Sequence, residues 1–134
     1  GLQAPYASRL VPPDFFPALG QGALGIEYPK ENTELHDLLA PLEHAQTRVT
    51  VTAERSFLHE LEGGCQVPIG GIAEVRGNQV SLHGLVSDVR GELVILEHDR
   101  ADCQKADELG RSLARKILDR GGREILQRIY ACGE

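Results

Sequence analysis

Three strand-like runs with short breaks between them place the tightest limit on the fold of this chain. The runs occupy residues 69–75 (IGGIAEV), 79–87 (QVSLHGLVS) and 92–98 (ELVILEH), and the breaks at 76–78 and 88–91 have hairpin length. A parallel pair needs a crossover of about a dozen residues or more, so breaks this short allow antiparallel pairing only. We therefore predict a three-stranded antiparallel meander.

Helical patterns flank these runs on both sides. Before the first strand, apolar residues recur at every fourth position: Val49, Ala53, Phe57 and Leu61. This stripe, followed by glycines at 63 and 64, predicts a helix over 44–62. Two more stripes, on either side of Gly121-Gly122, predict two helices after the sheet. The order α-β-β-β-α-α, with helices on one face of the sheet, predicts an α+β domain over 45–134.

The segment that precedes this domain has a different character. Four prolines make residues 1–19 a connecting stretch, and ALGIEY at 23–28 predicts a buried strand. A leucine face then predicts a helix over 33–42. This strand has no sheet of its own to join, so we expect residues 1–42 to be poorly ordered or packed on a neighbouring copy.

Composition excludes several classes of protein. The 134 residues carry a net charge of −6, which does not suit a nucleic-acid surface. No apolar run approaches the roughly 20 residues of a membrane helix, and no secretory leader is visible. Three cysteines without CxxC spacing argue against a disulfide framework and a zinc site, so we expect reduced thiols, no metal and a cytoplasmic protein. The absence of Met and the Gly1-Leu2 start suggest an internal stretch of something longer, and removal of an initiator Met ahead of Gly1 is the alternative.

The GQGALG stretch at 20–25 formally matches the GxGxxG dinucleotide fingerprint. That fingerprint works by leading a strand into a helix that meets the pyrophosphate, whereas these glycines run into Ile-Glu-Tyr-Pro, which cannot start such a helix. Two interpretations remain open. The stretch is either a glycine-rich crossover or a loop whose backbone at Gln21, Gly22 and Ala23 approaches a ligand.

Cys65 stands between two glycine pairs in LEGGCQVPIGG, residues 61–71. It follows a helix C-terminus, the negative end of the helix dipole, with Glu60 and Glu62 close by, and such surroundings keep a thiol neutral. A nucleophilic or redox role is therefore disfavoured, although His59 is near. A small buried residue would not need glycine on both sides, whereas a thiol that anchors a covalently held group would.

The other polar residues suggest no site. The five histidines have no ligand spacing, and Cys103 and Cys132 look incidental. A row of basic residues follows the two C-terminal helices: Arg111, Arg115, Lys116, Arg120, Arg123 and Arg128. We interpret these as solvated helix sides, with a phosphate or partner surface as the alternative.

Two blocks of the sequence carry a family resemblance. PALGQGALGIE at 17–27, followed by TAERSFLHELEGGCQVPIGG at 52–71, resembles the C-terminal part of the porphobilinogen deaminases, also called hydroxymethylbilane synthases. The similarity extends through the chain to GREILQRIY near its end, and the cysteine-loop motif is highly specific.

The resemblance implies a transferase of tetrapyrrole and haem biosynthesis with a covalent cofactor. In this family a dipyrromethane is joined by a thioether to the loop cysteine, which falls on Cys65, while Gly63 and Gly64 would give the sulfur room. The enzyme condenses four porphobilinogen units onto this cofactor, releasing ammonia each time, and hydrolysis frees the linear product. The turn that contacts porphobilinogen and the growing oligopyrrole maps onto three residues here: Gln21, Gly22 and Ala23.

The resemblance also implies a domain organisation. Family members have two domains built like a periplasmic binding protein and a third that carries the cofactor loop. By this pattern residues 1–22 end domain two, residues 23–44 are a strand, helix and linker of domain one, and residues 45–134 are the cofactor-carrying domain. The missing N-terminal portion supplies the catalytic aspartate and the basic residues that bind the substrate carboxylates. We therefore expect no catalytic residue here, an inactive fragment and an unmodified Cys65; the alternative is an isolated thiol-bearing binding module.

Overall fold

The computed structural model describes residues 6–8, 10–61 and 67–131, and from residue 45 onward its helices and strands follow the predicted order. The elements are α1 (Thr33–Leu39), α2 (Ala45–Glu60), β1 (Ile69–Arg76), β2 (Gln79–Ser87), β3 (Val94–Asp102), α3 (Ala106–Ile117) and α4 (Arg123–Ala131). A single 3₁₀ turn, Ala40–Leu42, extends α1. Asn32 caps α1 by accepting the Leu35 N–H at 2.9 Å, and His44 caps α2.

The sheet is the predicted antiparallel meander, with strand order β1-β2-β3. In its register Ile72 pairs with His83, and His83 pairs in turn with His98. The prediction for the third strand was wrong at both ends, because it placed that strand at 92–98. The strand begins later because Glu92 belongs to the turn, and it ends at Asp102, which pairs with the first residue of β2.

One face of the sheet carries the hydrophobic core. Alternate residues of β2 point to this face, and α2 and α3 cover it. The largest fully buried side chains are Phe57, Leu82, Leu113, Ile117, Val80 and Val86. The α4 helix adds Ile125 and Leu126 to the same core. The prediction of helices on one face of the sheet is therefore confirmed.

Residues 23–28 do not form the predicted strand. In this chain they are irregular, with Leu24 99% and Ile26 58% exposed, because no neighbouring strand in the described ranges pairs with them. The α1 helix likewise buries none of its residues. None of the helices in the described ranges has the length and apolar character of a membrane span.

The short segment 16–20 packs on the domain, which corrects the expectation for this part of residues 1–42. Leu19 contacts the hydrophobic core, and the Pro17 carbonyl accepts a hydrogen bond from the Gly71 N–H of β1 at 3.0 Å. The expectation missed these contacts because they join residues far apart in the sequence.

Candidate functional site

The glycine-rich turn at 18–23 presents its backbone to solvent. Gly20 and Gly22 have φ values of 73° and 84°, a region that residues other than glycine rarely occupy. The Gln21 N–H donates to the Ala18 carbonyl and the Ala23 N–H to the Gly20 carbonyl, both at 3.2 Å. Gln21 and Gly22 are exposed and Ala23 is half-buried, so these residues are accessible to a ligand.

These glycines do not lead into a helix. The chain continues without regular structure from Ala23, and the next helix, α1, begins at Thr33. A dinucleotide fingerprint needs a helix N-terminus directly after the glycines. The structure therefore agrees with excluding that interpretation.

One carboxylate, Glu54 of α2, connects this turn to the sheet. Its Oε2 atom accepts the Gly20 N–H at 2.7 Å, and its Oε1 atom accepts the Ala73 N–H of β1 at 2.8 Å. The residue is only 8% exposed. Sequence reasoning missed Glu54, although a carboxylate three residues before Phe57, on the flank of an apolar stripe, is an unusual choice that could have signalled a buried partner.

The second glycine pair of the cysteine motif has a role in packing. A Cβ on Gly71 would lie 2.6 Å from the His83 carbonyl oxygen and 2.8 Å from Leu19 Cδ2, and a Cβ on Gly70 would lie 3.2 Å from Phe16 Cβ. The contacts of Gly71 are too close for any side chain and that of Gly70 is tight, so these glycines let segment 16–20 approach β1. The sequence interpretation, in which the glycines of the motif serve the sulfur, does not apply to this pair.

The cysteine loop itself, including Cys65, Gly63 and Gly64, lies outside the described residues. Its two stems are described. Leu61, just after α2, is 2% exposed and Val67, just before β1, is 9% exposed; both belong to the hydrophobic core. The residues on both sides of 62–66 are thus anchored in the core, and the second of them leads into the strand that binds the glycine-rich turn.

Glu60, at the end of α2 beside the loop, is paired with two arginines. Its Oε1 atom accepts the Arg115 Nε–H at 2.8 Å, and Arg111 lies 3.6 Å from its Oε2 atom. The hydrogen bond from Arg115 is the main cause that lowers the pKa of this carboxyl group. The sequence interpretation counted Glu60 among the negative charges close to the cysteine, and the structure adds that two arginines pair with it.

The basic residues of the C-terminal helices are also more constrained than expected. Lys116 binds Asp99 of β3, and Arg120 binds Glu97 of the same strand. Together with Arg111 and Arg115 of α3, these cations attach their helices to neighbouring elements. Arg115, Lys116 and Arg120 are exposed and Arg111 is half-buried, so these four lie on solvated helix sides as interpreted, and each is also ion-paired.

The face of the sheet opposite the helices carries two stacked histidines. The ring centroids of His83 and His98 are 5.3 Å apart with an interplanar angle of 13°. Burial, and secondly the nearby His98, lower the pKa of His83. A cavity of about 510 Å³ lies beside them, closed on one side by residues 10–17. Its lining includes no residue of the glycine-rich turn, and the described residues contain no cluster of metal-ligating side chains.

Comparison with known proteins identifies the chain's relatives. Residues 48–119 match the family model for the porphobilinogen deaminase C-terminal domain. The porphobilinogen deaminase of Nitratidesulfovibrio vulgaris strain DP4 is 48% identical over 134 residues, which is 99% of this chain and 42% of the relative. Those of Maridesulfovibrio salexigens and Syntrophobacter fumaroxidans are each 45% identical, over 96% and 97% of this chain and 42% of each relative. The chain thus spans less than half the length of these curated relatives.

Proposed function

The chain belongs to the porphobilinogen deaminase family, as the part that contains the C-terminal domain, and we propose that it is the cofactor-carrying portion of a hydroxymethylbilane synthase. The whole enzyme condenses four porphobilinogen units into a linear tetrapyrrole on a dipyrromethane, in the cytoplasm. The observation that carries the proposal is the 48% identity across 99% of the chain, which includes both the glycine-rich turn and the cysteine loop.

Cys65 would hold the cofactor through a thioether. The described stems fit this role, because the buried Leu61 and Val67 fix both ends of the loop without occupying it. The loop also starts at a helix C-terminus, where a neutral thiol, and then a neutral thioether, is favoured over a thiolate. When bound, the dipyrromethane supplies the acceptor onto which porphobilinogen units are condensed. Gly63 and Gly64 would leave space beside the sulfur.

Gln21, Gly22 and Ala23 would contact the substrate and the growing oligopyrrole. Their support is the geometry of the turn, which presents exposed backbone groups and an exposed Gln21 side chain. The turn is bonded to β1 through Glu54, and β1 is the strand that the cysteine loop enters. The turn that contacts the substrate and the loop that holds the cofactor would thereby both be attached to β1.

The rest of the proposed enzyme would supply the missing surfaces. We assign residues 1–22 to the end of domain two, 23–44 to a strand, helix and linker of domain one, and 45–134 to the C-terminal domain; the first two domains would resemble a periplasmic binding protein. The exposed Leu24, together with the helix α1 that buries no residue, supports this assignment, because both need covering. The net charge of −6 further suggests that the isolated chain cannot neutralise a polycarboxylate substrate, so we expect it to be inactive and unmodified.

Intact mass spectrometry of the longer enzyme that contains this chain tests the proposal. Wild type should exceed its sequence mass by one dipyrromethane and should consume porphobilinogen, and Cys65→Ser should lose both properties. Cys103→Ser is the matched control, since this half-buried cysteine packs against the core, and it should keep both. An adduct that survives Cys65→Ser, or one mapped to Cys103 or Cys132, would contradict the assignment.

A further inference from the structure

Glu54 is a buried carboxylate to which the chemistry above gives no role. Within the described ranges no Lys, Arg or His lies at ion-pair distance from it. Its two oxygens instead accept backbone N–H groups from two other segments, at 2.7 and 2.8 Å. Burying a carboxylate is costly unless hydrogen bonds compensate it, so a carboxylate at this place calls for a reason beyond packing.

The two bonds join the three segments that frame the proposed site. Glu54 belongs to α2, whose end leads into the cysteine loop, and Ala73 belongs to β1, where the chain leaves that loop. Gly20 is the residue directly before the proposed substrate contacts. A change in the position of this carboxylate would therefore shift the turn relative to both stems of the loop.

The local backbone leaves few other attachments for the turn. Its internal hydrogen bonds, at 3.2 Å, hold its shape but do not connect it to the domain. The Pro17 carbonyl just before the turn and the Leu19 side chain at its start anchor one end of it, and after Ala23 the chain is irregular and Leu24 is exposed. The bond from Gly20 to Glu54 is thus the described polar attachment closest to the substrate contacts.

We propose that Glu54 is a positioning residue that holds the glycine-rich turn at a fixed place relative to α2 and β1, the two elements on either side of residues 62–66. This inference rests on the proposed function, because it assigns Glu54 to the binding of porphobilinogen through Gln21 and Gly22. It does not make Glu54 a catalytic residue, since its oxygens are occupied by backbone donors of the protein itself.

The test uses Glu54→Gln in the longer enzyme that contains this chain. A glutamine has the same shape but only one acceptor oxygen, so at least one of the two N–H groups would face an amide donor. We expect the amide hydrogen-exchange rates of peptides covering 18–23 and 70–75 to rise by roughly tenfold or more. The KM for porphobilinogen should rise several-fold, with a smaller change in kcat, because the turn binds substrate but the chemistry is untouched.

Two further variants separate positioning from stability. Glu54→Asp keeps both acceptors on a side chain shorter by about 1.5 Å, and should give intermediate exchange and KM. Ser56→Ala, on the same helix, removes the 2.5 Å hydrogen bond to Asp107 of α3 and leaves the turn alone. It should lower stability without changing KM or exchange at 18–23.

The outcomes distinguish this inference from the proposed function. Unchanged exchange at both 18–23 and 70–75 in Glu54→Gln, or faster exchange with wild-type KM, would overturn the positioning role. A fall in kcat alone, matched by Ser56→Ala, would show a merely structural residue and would also overturn it. If wild type does not consume porphobilinogen, the proposed function is wrong, and so is the predicted effect of Glu54 on KM. The exchange experiment still decides whether Glu54 holds the turn.

Discussion

At the scale of single residues, Gly71 and Glu54 show how the cysteine motif serves two purposes. The motif continues past Cys65 into β1, where Gly71 lies against Leu19 and donates its N–H to the Pro17 carbonyl. Two positions further along the same strand, the Ala73 N–H donates to Glu54. The motif thus contains both the proposed cofactor anchor and the β1 residues on which the segment with the glycine-rich turn packs.

Gly71→Ala should destabilise the chain. The added methyl would lie 2.6 Å from the His83 carbonyl oxygen, which is backbone and cannot move aside cheaply. We expect the free energy of unfolding to fall by about 1–3 kcal/mol, as for other overpacked sites, measured by urea denaturation. Gly25→Ala is the control, because a Cβ there meets no atom within 4 Å. Equal midpoints for the two variants would show that Gly71 does not pack against the His83 carbonyl and Leu19 as described.

At the scale of elements, the sheet has one face that is covered by helices and one that carries both polar and apolar side chains and is partly open. The open face carries His83 and His98. Burial and the nearby His98 lower the pKa of His83, and Glu74 on β1 raises it by a smaller amount. Residues 10–17 close one side of the cavity beside these rings. Protonation of His83 on this face should therefore affect the stability of the domain.

Acid should weaken the fold through His83. Its pKa is lowered in the folded state, so the unfolded chain binds more protons below the unfolded value of about 6.5. The contribution is fully present above pH ~6.5 and is lost as the pH falls through this value toward the folded pKa. Urea denaturation between pH 7.5 and 5 should show a falling free energy of unfolding, and His83→Gln should flatten the slope. An unaltered slope in that variant would assign the effect to other groups.

The elements themselves were largely predictable from sequence, whereas the links between them were not. The two hairpin breaks and the stripe from Val49 to Leu61 are local signals, and they gave β1, β2 and α2 nearly to their ends. The bonds from Glu54 span 34 and 19 residues, and no local pattern reports such a distance. The prediction of a strand at 23–28 was wrong because a strand needs a partner strand, and the described part of this chain offers none to these residues.

At the scale of the whole molecule, the chain divides into a packed domain and a segment with exposed apolar residues. The domain holds a continuous core from Ala53 to Leu126. In the segment before it, several large apolar side chains are exposed: Leu24, Ile26, Leu38 and Leu42. A contiguous chain stretch with this many exposed apolar residues is typical of a surface that another part of a protein covers.

Residues 23–42 should change their protection with the length of the protein. In the 134-residue chain their amides should exchange rapidly, because 23–28 is irregular and α1 buries no residue. In the longer enzyme the same peptides should exchange at least roughly tenfold more slowly, since the N-terminal portion would cover them. Mass-detected hydrogen exchange on both proteins measures this. Identical exchange in the two would refute the assignment of 23–44 to domain one.

The sheet's two outer strands leave little opportunity for the protein to polymerise. On the β1 edge, the Gly71 and Ala73 N–H groups already donate to Pro17 and Glu54, so they are not available to a strand of another chain. The β3 edge carries the inward-facing carboxylates Glu97 and Asp99, each paired with a helix cation. A strand added at this edge would lie against these paired charges, and charged side chains on an edge strand oppose pairing with another chain. Both edges of the sheet thus carry features that disfavour edge-to-edge association.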